Sequence, residues 1–192
     1  MATEYEIKFQ ATPAVLAEIE AAFSGDTVRI FMETTYYDTP SGSLSAKKYT
    51  LRKRLENGIS VCTLKAPAGN ARGEWEVNCK SVTEALPPLA AMGCPADVLT
   101  LASEGLIPIC GARFSRLAKT ISLPGGTVEL ALDEGILTGS NRQMPLCEAE
   151  VELKDGPVEV CDSFARELAV RFGLKAEEKS KFRRALGLYK GE

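Results

Sequence analysis

The sequence predicts an α+β fold in which an eight-stranded antiparallel β-barrel with a charged lumen is flanked by helices. Three observations predict it. Segments with a period of two follow one another through hairpin signals, the order of a meander that closes on itself. The first and last of these segments carry charge at every second position: Glu4, Glu6 and Lys8 oppose Tyr5, Ile7 and Phe9, and Glu148, Glu150, Glu152 and Lys154 oppose Cys147, Ala149, Val151 and Leu153. Helical patterns near both ends of the chain can cover the apolar face that such strands turn outward.

Taken in order, residues 3 to 10 read as a strand. Thr12 as N-cap and Pro13 at the first helical position open a helix that runs to Phe23 and ends at Ser24-Gly25. Residues 27 to 38 are a strand, and a Ser/Gly loop follows. Thr50 to Leu55 and Ile59 to Lys65 form a hairpin about Glu56-Asn57-Gly58, since Asn-Gly supplies the positive φ angles of a tight turn. Arg72 to Lys80 alternates again, Glu74, Glu76 and Asn78 against Trp75, Val77 and Cys79. Residues 82 to 104 read as short helices broken at Pro87-Pro88 and Pro95. Strands resume over 107 to 123 and, after Pro124-Gly125-Gly126, over 127 to 133. A hairpin at Glu134-Gly135 leads to 136 to 138, the acidic strand covers 147 to 154, and helices at 157 to 172 and 177 to 188 close the chain.

The chain has 192 residues, which fits one domain over 1 to 192 and buries about 70% of its unfolded surface. Its formal net charge of −3 excludes nucleic-acid binding through general basicity, so an anion site must be local. No apolar run reaches the roughly 18 residues of a membrane span, and the chain reads as soluble and cytoplasmic. The six cysteines are scattered without a C-x-x-C pair and there is no histidine, a pattern of buried free thiols rather than of a zinc site. Without histidine a His-based triad is excluded, and oxygen ligands are the natural metal chemistry.

Read consistently, the strand faces bring Glu4, Glu6, Lys8, Arg52, Arg54, Lys65, Arg116, Glu129, Asp133, Glu148, Glu150 and Glu152 to the inner surface. Glu74 and Glu76 fit either the lumen or a solvated face. Arg52 and Arg54, two residues apart, present guanidinium forks suited to successive phosphate groups. The carboxylates suit Mg²⁺ or Mn²⁺, which keep water ligands and bridge to phosphate oxygens. Lys119 and Arg113 fall on the face opposite Arg116, Trp75 packs outward, and Lys179, Arg183 and Arg184 read as surface cations. A homodimer would cover any part of the outer apolar face that the helices leave bare.

The chain resembles the CYTH domain, or triphosphate tunnel metalloenzyme, family along essentially its whole length. The landmarks are Glu4-Tyr-Glu6-Ile-Lys8, Tyr36-Tyr-Asp38-Thr, Leu51-Arg52-Lys-Arg54, Thr63-Leu-Lys65, Arg72-Gly-Glu74, Phe114-Ser-Arg116, Glu129-Leu-Ala-Leu-Asp133-Glu-Gly, Cys147-Glu148-Ala-Glu150-Val-Glu152 and Ser180-Lys181. The resemblance implies an eight-stranded antiparallel tunnel that binds triphosphate and a divalent metal, Mg²⁺ or Mn²⁺. It implies metal ligation by Glu4, Glu6, Asp133, Glu148 and Glu150, and triphosphate binding by Lys8, Arg52, Arg54, Lys65, Arg116 and Lys181. Tyr36 with Lys8 matches a pair implicated in activating water in hydrolytic members. The implied reaction is hydrolysis of a terminal phosphoanhydride, with inorganic triphosphate as the leading substrate because no appended domain is expected to read a base or sugar. Thiamine triphosphate hydrolysis, a class IV-type adenylate cyclase and a non-catalytic polyphosphate- or nucleotide-binding module are the alternatives.

Overall fold

The computed structural model describes residues 5–23, 26–68 and 71–192. Its elements are β1 (Glu6–Gln10), α1 (Pro13–Ala22), β2 (Thr27–Asp38), α2 (Ser43–Ala46), β3 (Thr50–Glu56), β4 (Ile59–Ala68), β5 (Ala71–Asn78), α3 (Val82–Ala91), α4 (Asp97–Ala102), β6 (Ile107–Leu123), β7 (Gly126–Gly139), β8 (Arg142–Asp155), α5 (Val158–Phe172), β9 (Lys175–Ala176) and α6 (Lys181–Lys190). Glu4, the Ser24-Gly25 helix end and the side chain of Arg72 lie outside the described residues.

The strands form one antiparallel sheet in the order β5-β4-β3-β2-β6-β7-β8-β1-β9. This corrects the eight-stranded barrel: the described residues form nine strands, and among them the sheet does not close. The outer edge of β1 is taken by the two-residue β9, through Phe9↔Ala176 and Gln10↔Lys175, while β5, among the described residues, pairs with β4 alone. The sheet instead curls, so that side chains from β1 and from β3, β4 and β5 line one cavity. Its concave side is filled at one end by α6, which packs on β6 and β7. A helix lodged there holds the curl without a ladder between the sheet's two ends.

Alternation sorts the two faces as the sequence indicates. On the convex side α1 and α5 cover Phe9, Leu117, Val128, Leu130, Leu132, Ala149 and Val151, with Ile19 and Leu168 in the buried layer between. A second convex cluster joins α3 and α4 to Leu51, Cys62, Leu64 and Trp75 of β3, β4 and β5. The third cluster is concave: Met32, Tyr36, Phe114, Leu137 and Leu146 meet Ala185 and Phe182 of α6. Thus the inner surface is charged along only part of its length, and one of the expected covering helices packs inside it. Lys119 stands on the convex side, buried, and its Nζ donates to the carbonyls of Glu20 and Phe23, satisfying the free end of α1.

Two local expectations are also overturned. Pro87 and Pro88 lie within α3 rather than breaking it, because Val82, Ala85, Leu86 and Leu89 bury one side of the helix and Ser81 caps it through Glu84 N; the break falls at Pro95. No hairpin forms at Glu134-Gly135. β7 runs through it to the turn at Ser140-Asn141, and Gly135 lets β6 approach so closely that an added Cβ would lie 2.1 Å from Arg113 O and 2.6 Å from Phe114 Cα. The Asn57-Gly58 hairpin forms as expected, with φ of 49° and 88°.

All six cysteines are free, and burial pushes the Cys110 thiol up to about 12 and those of Cys62 and Cys161 up to about 11. Among the described residues no helix is long and apolar enough to cross a membrane.

The Gly135 contact gives a stability test. Gly135→Ala should lose about 2 to 4 kcal/mol in urea unfolding, because the neighbour is backbone that cannot step aside. Gly187→Ala in α6, where nothing lies within 4 Å of the added Cβ, should be neutral or gain up to about 1 kcal/mol from helix propensity. Equal effects at the two positions would contradict the β6–β7 packing.

Candidate functional site

The strand register builds the site rung by rung. Across β2 and β3, Tyr36 faces Arg52 and Thr34 faces Arg54; across β3 and β4, Thr50 faces Lys65; across β4 and β5, Lys65 faces Glu74. On the other half of the sheet Arg116 faces Asp133, Asp133 faces Glu148, and Glu150 faces Lys8. All of these residues occupy inward positions. Ser180 caps α6 by accepting from Arg183 N at 3.2 Å, and the first turn of that helix delivers Lys181 and Phe182 to the same space.

The result is a cavity of about 230 Å³ lined, among the described residues, by six cationic side chains, Lys8, Arg52, Arg54, Lys65, Arg116 and Lys181, and by three carboxylates, Glu6, Glu74 and Glu150. Thr34, Thr50, Tyr36, Phe114, Ser180 and Phe182 complete the wall. The ring of Phe182 lies 4.9 Å from that of Tyr36, and Lys181 Nζ stands 5.3 Å from the Phe114 centroid. Lys8 pairs with Glu6 at 2.8 Å, Lys65 with Glu74 at 3.1 Å, Arg52 with Glu74 at 3.6 Å, and Arg54 with Glu56. The excess of positive charge makes this a site for an anion of several charges. Burial, and then the neighbouring Arg52, hold the Arg54 guanidinium below its ordinary range, the signature of crowded cations.

Beside the cavity lies a buried acidic cluster. Asp133, Glu148 and Glu150 each offer an oxygen within 4.8 Å of the others. Arg116 holds Asp133 through two hydrogen bonds of 2.7 Å and reaches Glu150; Lys181 Nζ lies 2.8 Å from both Asp133 and Glu150 and also touches Glu148. Arg184 holds the second oxygen of Glu148. Burial alone would raise the Glu150 carboxyl, but Lys181 and Arg116 outweigh it and hold the group well below the glutamate range. At Glu148 burial prevails over Lys181, and its pKa is raised. For Lys181 and Arg116 desolvation works against the charge, and the surrounding carboxylates more than reverse it.

The structure therefore brings together all the predicted site residues within its described part: Lys8, Tyr36, Arg52, Arg54, Lys65, Arg116, Lys181, Glu6, Asp133, Glu148 and Glu150. They do not form one set. Glu6 pairs with Lys8 on the cavity wall, whereas Asp133, Glu148 and Glu150 make the compact cluster. Glu74 belongs to the cavity; Glu76 accepts from Thr63 at 3.0 Å and is exposed. Arg184, expected on the surface, is turned inward on Glu148, and its place three residues after Lys181 on a helix was the available signal. Asp38 of the Tyr36-Tyr-Asp38-Thr landmark stays out of the cavity: it accepts from the backbone N–H groups of Thr39, Leu44 and Ser45 and fixes the loop into α2.

The cluster fits a hard divalent cation by its chemistry, since it offers carboxylate oxygens alone, close enough to share one ion. Its oxygens are already compensated by Arg116, Lys181 and Arg184, so an ion entering from the cavity would compete first with Lys181, the flexible point charge among the three.

Comparison with known proteins agrees with this geometry. The sequence profile of the CYTH domain matches residues 2–186. The chain is 27% identical to the inorganic triphosphatase of Haemophilus influenzae over 191 residues, covering 96% of this chain but 54% of the relative, so it spans about half the length of that curated protein. Among solved structures, the PH1819 protein of Pyrococcus horikoshii superposes with a TM-score of 0.62 at 20% identity, covering 95% of this chain and 98% of the other. The HpAC1 protein of Hippeastrum, described as a candidate adenylyl cyclase with a dominant triphosphatase activity, gives 0.62 at 18% identity, with 98% and 96% covered. At these identities the two structures show the shared fold.

Because Lys181 is shared by three buried carboxylates, Lys181→Met should cost about 3 kcal/mol in urea unfolding with EDTA present. Added Mn²⁺ should restore stability more in this variant than in the wild type. A loss near zero would show that Arg116 and Arg184 compensate the cluster unaided.

Proposed function

The chain belongs to the CYTH domain family, and from that membership and the charge of the cavity we propose that it is a metal-dependent triphosphatase hydrolysing the terminal phosphoanhydride of inorganic triphosphate. The observation that carries this reading is the convergence of six cations on one small cavity beside a cluster of three buried carboxylates. A polyphosphate chain matches that charge density, and guanidinium forks on adjacent inward positions grip successive phosphoryl groups. Size supports the choice of substrate. About 230 Å³ lies below the roughly 300–1,000 Å³ of pockets that enclose organic ligands, which favours a substrate whose phosphates make up most of its bulk. The inorganic triphosphatase among the relatives supports the same choice.

In this reading Asp133, Glu148 and Glu150 hold Mg²⁺ or Mn²⁺, and Glu4 and Glu6 keep the metal-ligand role that the family resemblance implies for them. The ion, when bound, neutralises phosphate charge and polarises the phosphoryl group. Lys8, Arg52, Arg54, Lys65, Arg116 and Lys181 bind the triphosphate and stabilise the charge that develops on the diphosphate leaving group. Arg116 spends three of its five N–H donors on Asp133 and Glu150, so it serves the phosphates with what remains while it orients the carboxylates. Lys8 and Tyr36 orient the attacking water. Water oxygen bonds to the terminal phosphorus, the bridging P–O bond breaks, and phosphate and diphosphate leave. Residues 1 to 192 act as one domain in the cytoplasm.

The test supplies purified protein with inorganic triphosphate, thiamine triphosphate and ATP in parallel, with Mg²⁺, with Mn²⁺ and with chelator. Metal-dependent phosphate release should be fastest from inorganic triphosphate; cyclic AMP from ATP, or tight triphosphate binding without turnover, would overturn the assignment. Arg54→Ala should lower kcat/KM by roughly a hundredfold, about 2.7 kcal/mol, while Lys179→Ala changes it less than about twofold. Glu148→Gln should raise the metal concentration needed for half-maximal rate.

A further inference from the structure

Assigning the ion pairs leaves two hydroxyls in the cavity without a partner among the described residues, those of Tyr36, which already has a part in the proposed reaction, and of Thr34. Thr34 is buried, points inward from β2 and stands directly across the ladder from Arg54. Two other inward threonines have partners inside the protein: Thr63 donates to Glu76 at 3.0 Å, and Thr50 is engaged as well. Among the described residues, no protein group hydrogen-bonds the Thr34 hydroxyl. The residue as a whole is buried, but its hydroxyl oxygen is not sealed from the cavity that it lines, so it stays available to a ligand there, which an isosteric valine would not be.

What the hydroxyl lacks can be read from its neighbours. Arg54 faces it across the ladder, and Arg52 lies two residues along on the same side of β3. The Nε atoms of both arginines are buried without an acceptor. Two buried unsatisfied donors and one cavity-facing hydroxyl therefore lie on two adjacent strands of one cavity wall. The missing partner is an oxygen-rich anion rather than a donor or an apolar group.

We propose that Thr34 is a substrate-binding residue that donates its hydroxyl proton to the phosphoryl oxygen adjoining the one held by Arg54. The proposal rests on the reading of the cavity as a triphosphate site. It adds to the charged grip a neutral, directional contact, which selects the position of the chain along the wall where charge alone would let it slide. Threonine suits the place because its branched side chain packs on the strand while the hydroxyl faces the ligand.

The experiment compares the wild type with Thr34→Val and Thr34→Ser. Binding of inorganic triphosphate is measured by calorimetry in EDTA, where no turnover occurs, alongside KM, kcat and the melting temperature. Thr34→Val should bind triphosphate roughly tenfold more weakly, with the change appearing in KM and with the melting temperature unaltered, and Thr34→Ser should stay within about threefold of the wild type. Should the valine variant fail to fold, Thr34→Ala removes the same hydroxyl and must show the same loss. Equal binding by the wild type and the hydroxyl-free variant overturns the role of Thr34 and leaves the triphosphate site standing. No binding or hydrolysis of triphosphate by the wild type overturns both.

Discussion

Three carboxylates, Asp133, Glu148 and Glu150, are held within 4.8 Å of one another in the interior, and the cost of keeping negative charge there governs how the concave side is built. Buried charges persist only when paired and hydrogen-bonded. Arg116 arrives from the neighbouring strand by register, so it is available as soon as β6 and β7 pair. Lys181 and Arg184 come from the C-terminal helix and reach the two oxygens of Glu148 from one side of α6. The helix is thus attached to the sheet by charge as well as by Phe182 and Ala185. Its position follows from the carboxylates as much as from the apolar surface it covers.

The same constraint explains why the two sides of the sheet have different covers. With acids and bases assigned to the inner positions, the apolar residues of β1, β7 and β8 must turn outward, where α1 and α5 bury them. The half of the sheet that carries Arg52, Arg54 and Lys65 does likewise under α3 and α4. α6 is the exception because the inner surface itself changes character. Toward Tyr36, Phe114, Leu137 and Leu146 it becomes apolar, and a helix with Phe182 and Ala185 on one side and Lys181 and Arg184 in its first turns satisfies both parts. Where the helix begins, the cavity begins.

Period-two alternation is a strong signal, and the inner assignments of Glu6, Lys8, Arg52, Arg54, Lys65, Arg116, Asp133, Glu148 and Glu150 were legible from it. So was the Asn57-Gly58 turn, whose conformation is encoded by two adjacent residues. Closure of the sheet was not legible, because alternation specifies which face a residue takes and says nothing of whether the first and last strands meet. The nine-strand order depends on β9, two residues long, which no periodicity can announce. Gly135 misled for a related reason: glycine marks either a turn or a close approach of backbones, and only the β6 neighbour decides between them. Pro87 and Pro88 were outweighed by burial of Val82, Ala85, Leu86 and Leu89. Arg184 escaped because its run of cations reads as solvated until the helix is placed against Glu148.

The cavity and the cluster divide the work of handling an anion and a cation at close range. In the cluster, positive and negative groups are matched almost atom for atom, and Lys181 carries a pKa raised by the carboxylates around it. In the cavity the match is incomplete: Arg52 and Lys65 both contact Glu74, and the Nε atoms of Arg52 and Arg54 find no acceptor among the described residues. Lys181 and Arg116 stand on the boundary and belong to both. An anion entering the cavity offers them new oxygens, and each that they accept loosens their hold on the carboxylates. In the proposed reading, negative charge bound on one side would free negative charge on the other for a cation. Lys181 and Arg116 are the groups through which the two would be linked, since both line the cavity and both hold the carboxylates.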